Sequence, residues 1–128
     1  MSSIEDALKH VKFIKTAPFG SRVVGCARED SDFDYLVLVR CRPSLNDMRH
    51  TAFLPDADDP LYGNYFSSWR CGNINLVFTD NSEYYEATLE ACNFCRKYKV
   101  YDKADRCTIH EKFRDAIATT THAIFSTH

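Results

Sequence analysis

Two aspartates, Asp32 and Asp34, are the residues of this 128-residue chain best placed to do chemistry. They open the apolar run YLVLV at 35–39, which is typical of a buried β-strand. Because alternate side chains of a strand point to the same face, both carboxylates would point to one side at the start of the strand. Two carboxylates held close together repel each other unless a cation lies between them, and oxygen ligands suit Mg²⁺, which also takes phosphate oxygens. The pair therefore predicts a magnesium site.

A glycine-serine pair, Gly20 and Ser21, precedes these aspartates and predicts a phosphate-binding turn. Gly20 ends the short extended segment 15–19, and a glycine allows the backbone angles and the close approach that a phosphate loop needs. Ser21 and Arg22 would begin a short helix whose free N–H groups face an anion. The guanidinium of Arg22 is expected to help neutralise that anion.

The order Gly-Ser, spacer and Asp-x-Asp on a strand, in the text GSRVVG…SDFD, resembles the nucleotidyltransferase superfamily of the polymerase beta type in its minimal form. The later stretches WRCGNINLVFTD and DKADRCTIHEKFRDAI are similar to short predicted nucleotidyltransferases of tailed bacteriophages. The resemblance implies that Gly20 and Ser21 hold a triphosphate and that Asp32 and Asp34 bind the metals. It also implies a third carboxylate on a later strand, and this chain has Asn75 at that position.

Asn75 leaves two interpretations of the site. An amide oxygen can still ligate a metal, but it cannot act as a base, and the site is left one negative charge short. Either catalysis runs on the Asp pair alone, or activity is weakened or lost. If Asn75 does not stand in for the missing acid, Asp80 is the next candidate for the third ligand.

A bulky residue at Gly20 is expected to remove nucleotide affinity with only a modest loss of thermal stability.

The resemblance supplies the expected activity. A nucleotidyltransferase would use Mg·NTP to transfer a nucleoside monophosphate to an acceptor, for which a protein side chain, a small metabolite and an RNA end all remain open. The alternative is a catalytically weak or inactive protein of the same fold that binds nucleotide or a host factor as a regulator.

The composition predicts one soluble domain over 1–128. Sixteen basic and 18 acidic residues give a formal net charge of −2, which provides no general attraction to nucleic acid or to a membrane surface. No tract approaches the roughly 18 apolar residues of a membrane-spanning helix, and the N-terminal sequence is neither a signal peptide nor a lipidation motif. We therefore expect a cytoplasmic protein, in the host cytoplasm if a phage encodes it, with its six cysteines reduced.

The elements that must position the site follow from caps and periodicity. Strands are expected at 15–19, 35–39, 66–70 and 73–78, the last two as a hairpin, and a helix is expected from Ser44 to about Phe53. Polar residues are expected to cap four helices: Ser2 or Ser3, Ser44, Asp80 and Asp102. The order predicts an α/β (α+β) domain of the minimal nucleotidyltransferase fold, in which helices flank a small mixed sheet.

Two further groups of residues have competing interpretations. Cys92, Cys95, Cys107 and His110 would face each other across a helical hairpin, where they would form either a tetrahedral zinc site or a buried helix interface. The buried helix interface predicts no stoichiometric zinc. Three acids in PDADDPLYGN, Asp56, Asp58 and Asp59, indicate a solvated surface loop rather than a cation site.

Overall fold

The computed structural model describes residues 4–9, 11–56 and 66–126. In chain order, the helices and strands are α1 (Ile4–Leu8), β1 (Lys15–Phe19), α2 (Ser21–Val24), β2 (Phe33–Leu38), α3 (Leu45–Met48), β3 (Leu54–Pro55), β4 (Ser67–Cys71), β5 (Ile74–Thr79), α4 (Ser82–Lys97) and α5 (Lys103–Ser126).

The strands of the described residues form one mixed sheet in the order β1-β2-β5-β4-β3. The central strands β2 and β5 are parallel, whereas β1 pairs antiparallel with β2, and β4 pairs antiparallel with both β5 and β3. The predicted α/β class, a small mixed sheet flanked by helices, is confirmed. Assignment to the nucleotidyltransferase fold in particular stays a prediction.

Strands β2 and β5 are buried on both faces, which explains their nearly continuous apolar sequence. Side chains alternate between the faces: Leu36, Leu38 and Val77 pack in one cluster with α4, and Val37, Val39, Leu76 and Phe78 pack in another with α1, α3 and β4. Asp34 and Asn75 each precede a residue of the first cluster by two positions, so both lie on the α4 face.

The predicted hairpin forms between β4 and β5, with its turn at Gly72 and Asn73, one residue later than the expected 71–72. Gly72 has a positive φ of 59° in the turn, and this turn sets Cys71 opposite Ile74 and Arg70 opposite Asn75. The register of the hairpin therefore brings an arginine to the strand position beside Asn75.

Two of the predicted helix caps are confirmed. Ser44 and Asp47 form the reciprocal capping box, with N to Oδ2 and N to Oγ distances of 2.8 and 3.1 Å. Asp102 accepts from the backbone N–H of Asp105 at 3.0 Å, as expected for the start of α5. Ser2 and Ser3 lie outside the described residues.

The helix that Ser44 begins is much shorter than predicted. It ends at Met48 rather than near Phe53, because Thr51 closes a turn there: its backbone N–H and its hydroxyl both donate to the Met48 carbonyl, at 3.0 and 2.7 Å. The same hydroxyl accepts from the Phe53 N–H at 3.2 Å, so a local side-chain bond replaces the next helical one.

Asp80 does not cap α4, contrary to the prediction. The N-cap is Asn81, whose side-chain oxygen accepts from the Tyr84 N–H at 3.0 Å. Thr79 fixes this register, since its hydroxyl accepts from the Asn81 N–H at 3.2 Å. Asp80 instead pairs with Arg42 at 3.5 Å. None of the helices in the described part of the chain is long and apolar enough to cross a membrane.

Candidate functional site

Asp34 and Asn75 face each other at the starts of the two parallel central strands. They are register partners, and the Asn75 amide donates to Asp34 through a 3.3 Å bond between Nδ2 and Oδ1. A backbone bond of 2.7 Å from the Phe33 N–H to the Asn73 carbonyl fixes this register at the edge of the sheet. The order of strands thus brings a carboxylate and an amide from distant parts of the sequence into contact.

Gly20 lies directly against the Asp34 carboxylate. Its φ is +83°, and a Cβ built on it would be only 2.3 Å from Oδ2 of Asp34. The neighbouring pair, Phe19 opposite Asp34 in the β1–β2 register, brings the glycine to this place. The Cys92 thiol of α4 donates to the Gly20 carbonyl at 3.7 Å. The Gly-Ser turn and the Asp strand therefore meet at one point.

The two aspartates have different surroundings. Burial raises the pKa of the Asp34 carboxyl, and the negative charge of Asp32 adds to that effect. The hydrogen bond from Asn75 and the positive charges of Arg70 and Arg106 act in the opposite direction. Asp32 is more open to solvent, with 40% of its side chain exposed.

Arg70 of β4 bridges two carboxylates at the edge of the site. Its Nη1 lies 2.9 Å from Oδ2 of Asp32, and its Nε donates to Oδ2 of Asp56 at 3.1 Å. Of the three acids in the predicted loop, only Asp56 is among the described residues, and it belongs to this bridge. Sequence reasoning gave Arg70 no role, because a hairpin turn at 71–72 would set it opposite Asn73, whereas the observed register sets it opposite Asn75.

Arg22 holds the loop that leads to Asp32. Its guanidinium lies 3.8 Å from the centre of the Phe33 ring, and its Nη2 donates to the carbonyls of Ser31 and Glu29 at 2.8 and 3.2 Å. It is not among the residues that line the cavity described next. The predicted contact between Arg22 and a nucleotide stays a prediction, without support from this geometry.

A cavity of about 370 Å³ lies between this edge of the sheet and α5, a size in the usual range for small-molecule sites. Four of the five predicted phosphate and metal residues line it: Gly20, Ser21, Asp32 and Asp34. Asn75 and Arg70 complete the sheet side, and the loop adds Asp30 and Ser31. The opposite wall is formed by Lys103, Arg106, Cys107 and His110 from the first turns of α5. Sequence reasoning did not connect this helix with the Asp pair.

The cysteine and histidine group is mostly buried. Cys92 and Cys95 are inaccessible to solvent, and burial raises the pKa of both thiols, so they stay protonated and weakly reactive. His110 is 8% exposed, and burial, with the charges of Arg114 and Arg106, lowers its pKa to about 4. Among the described residues, no group of three or more histidine, cysteine or acidic side chains is arranged to hold a metal ion.

The oxygen atoms around Asp34 fit a hard divalent cation. Asn75 is only 8% exposed, and its buried Oδ1 has no hydrogen-bond partner among the described residues. Together with the carboxylates of Asp32 and Asp34, it gives an all-oxygen set of the kind that Mg²⁺ takes. Asp80 is out of reach of this group, because it lies five residues further along the direction of β5, or about 16 Å at the rise of a strand.

Comparison with known proteins gives no match to a protein-family model, to a curated protein or to a solved structure. The function of the cavity must therefore be argued from its own residues.

Proposed function

We propose that this protein binds a nucleoside triphosphate with Mg²⁺ in the cavity between the sheet and α5, and transfers the nucleoside monophosphate to an acceptor hydroxyl. One observation supports the proposal above all: the Asp34 carboxylate lies between a glycine with no room for a Cβ and a buried amide whose oxygen accepts no hydrogen bond from the described part of the chain. Close backbone approach beside oxygen ligands suits a phosphate and its cation.

Asp32, Asp34 and Asn75 would hold the cation. Mg²⁺ bound there would neutralise charge on the triphosphate and lower the pKa of an oxygen that it ligates. Asn75 contributes in two ways, since its Oδ1 is available as a ligand while its Nδ2 keeps the Asp34 carboxylate in position. Arg70 keeps the Asp32 carboxylate at the rim of the cavity.

The transfer step balances without any further reactant. The acceptor oxygen bonds to the α-phosphorus, the bond from that phosphorus to the bridging oxygen breaks, and pyrophosphate leaves with the electron pair. The hydroxyl proton passes to solvent or to an Asp carboxylate, because the Asn75 amide cannot accept it. The protein's contribution is thus positioning and charge stabilisation.

The amide at Asn75 also favours a second candidate function, a nucleotide-binding protein with little or no turnover that acts as a regulator. In a two-metal site, the third carboxylate orients or deprotonates the attacking hydroxyl, so its absence affects chemistry more than binding. We therefore expect the wild-type protein to bind Mg·NTP and to turn over slowly at best.

The test of the site is calorimetric titration of each NTP with and without Mg²⁺. The variant Asp32→Asn with Asp34→Asn should lose Mg²⁺-dependent binding and keep its fold. A matched control, Asp80→Asn with Asp115→Asn, removes the same charge outside the cavity and should bind as the wild type does. Mg²⁺-dependent NTP binding that survives in the first variant would show that the site is misassigned.

The test of activity compares pyrophosphate release by the wild type and Asn75→Asp with the same acceptor. The variant should gain activity. Because it removes the donor to Asp34 and places a third acid beside two others, it should also melt at a lower temperature without metal and recover with Mg²⁺. A fast wild type that the substitution slows would refute the role given to Asn75.

A further inference from the structure

Lys103 and Arg106 form a cationic pair on the wall of the cavity opposite the aspartates. They are three residues apart on α5, so their side chains share one face of the helix, and both line the cavity. His110 continues the same face four residues later, but its pKa of about 4 keeps it neutral at pH 7. The charge on this wall is therefore that of the two basic residues.

Neither of these cations is satisfied by the described part of the protein. Lys103 and Arg106 form no salt bridge with any described residue, and the Nε of Arg106 is buried without a hydrogen-bond partner. Arg70 at the site and Arg22 beside it have protein partners, although the Nε of Arg22 also has none among the described residues. Arg70 is paired with two carboxylates, and Arg22 donates to backbone carbonyls.

Arg106 is close enough to the aspartates to act on the same ligand. Gly20, Asp34 and Arg106 all line the one cavity. A ligand that satisfies both walls carries a cation towards the aspartates and several negative charges towards α5, and a polyphosphate with a divalent cation has that distribution of charge.

We propose that Lys103 and Arg106 bind the terminal phosphates of the nucleoside triphosphate, so that the nucleotide lies across the cavity with its α-phosphate near Asp34 and its β- and γ-phosphates against α5. This inference rests on the proposed function and adds to it a preference for triphosphates. The selectivity for triphosphate over monophosphate then comes from α5, while the aspartates hold the end where the transfer takes place.

The experiment is a calorimetric series with an NMP, the matching NDP and NTP, and inorganic tripolyphosphate, each with Mg²⁺. Arg106→Gln and Lys103→Gln should each weaken NTP and tripolyphosphate binding by about 10- to 100-fold, the range of a lost charge-assisted contact. NMP binding should change by less than about twofold, because the NMP does not reach α5. Lys112→Gln, an exposed change of the same kind on the same helix, should bind all four ligands as the wild type does.

The possible results separate this inference from the proposed function. Equal losses of affinity for NMP and NTP would mean that α5 only supports the fold. Unchanged NTP affinity in both variants would mean that the phosphates lie elsewhere. Each of these results overturns the inference. So does a loss seen only with a phosphorylated acceptor, since the cations would then serve the acceptor. Tripolyphosphate binding that disappears in the variants supports the inference even without transferase activity, whereas a wild type that binds neither NTP nor tripolyphosphate refutes the proposed function as well. Lys103 is exposed at the start of α5, so we expect Lys103→Gln to fold. This variant alone decides the test if Arg106→Gln fails to fold.

Discussion

Replacing Gly20 by alanine tests the contact on which the site depends. The backbone angles of Gly20, φ 83° and ψ −161°, lie in a region that is almost restricted to glycine, where another residue costs about 1–3 kcal/mol. The new Cβ would also lie 2.3 Å from Oδ2 and 3.1 Å from Cγ of Asp34, and relieving such an overlap costs about 1–3 kcal/mol more. We therefore expect Gly20→Ala to lower the free energy of unfolding by about 2–6 kcal/mol, from a total of about 5–15 for a typical domain.

A double-mutant cycle separates the two parts of this cost. Asp34→Ala removes the two closest atoms and leaves the Cβ of residue 34 at 3.2 Å, so Gly20→Ala in that background should cost mainly the backbone strain of about 1–3 kcal/mol. The coupling between the two sites should then be about 1–3 kcal/mol, measured by urea denaturation of the four proteins. Gly25→Ala is the matched control: Gly25 also has a positive φ, +96°, but a Cβ there would have no atom of the described residues within 4 Å.

The outcome that would refute this reasoning is a Gly20→Ala protein no less stable than Gly25→Ala, with no coupling to Asp34. The close approach of the turn to the carboxylate would then be absent in solution. The structure also argues against the expectation that a bulky residue at Gly20 causes only a modest loss of thermal stability. That expectation considered only the incoming phosphate, whereas a Cβ at this position already overlaps a protein side chain.

Two further predictions concern His110 and Arg22. Burial lowers the pKa of His110 from 6.5 to about 4. Between these two pH values the imidazole is protonated in the unfolded chain but neutral in the native protein, so the free energy of unfolding decreases as the pH falls from about 6.5 through 4. Urea denaturation should show the wild type losing on the order of 3 kcal/mol relative to His110→Gln between pH 7 and pH 4, and a difference that stays constant with pH would contradict the burial of a neutral imidazole. Arg22→Met keeps the aliphatic stem but removes the donors to the carbonyls of Glu29 and Ser31, so it should cost about 1–3 kcal/mol and speed hydrogen exchange of the amides at 26–32. Unchanged exchange in that segment would show that another contact holds the loop.

The sheet side of the site was predictable because it depends on strand periodicity and local turn chemistry. Alternation along β2 put Asp34 on the same face as Leu36, and the two-residue turn at Gly72 fixed the register of β4 and β5. The expected turn at 71–72 lies one residue too early, however, and would set Arg70 opposite Asn73. The turn forms at Gly72 and Asn73 instead, and this shift of one residue sets Arg70 opposite Asn75.

The helix side was not predictable in the same way. The spacing of Lys103, Arg106 and His110 puts them on one helical face, but no local rule says which part of a sheet that face will cover. The N-cap of α4 was also not predictable from the local sequence alone. Asp80 and Asn81 are adjacent and both favour an N-cap, and the choice between them was made by the hydroxyl of Thr79 at the end of β5.

The amide at Asn75 changes how the site is stabilised before any ligand binds. A carboxylate there would add a third negative charge next to Asp34, whose pKa is already raised by burial and by Asp32. The amide instead donates a hydrogen bond that favours the ionised form of Asp34. Arg70 holds the Asp32 carboxylate through an ion pair. The aspartates are thus held in place by protein groups, and a cation is not required to keep them together. It follows that triphosphate binding should depend less on metal charge here than it would in a site with three carboxylates. It should depend more on Lys103 and Arg106 of α5, which pair with no carboxylate in the described ranges.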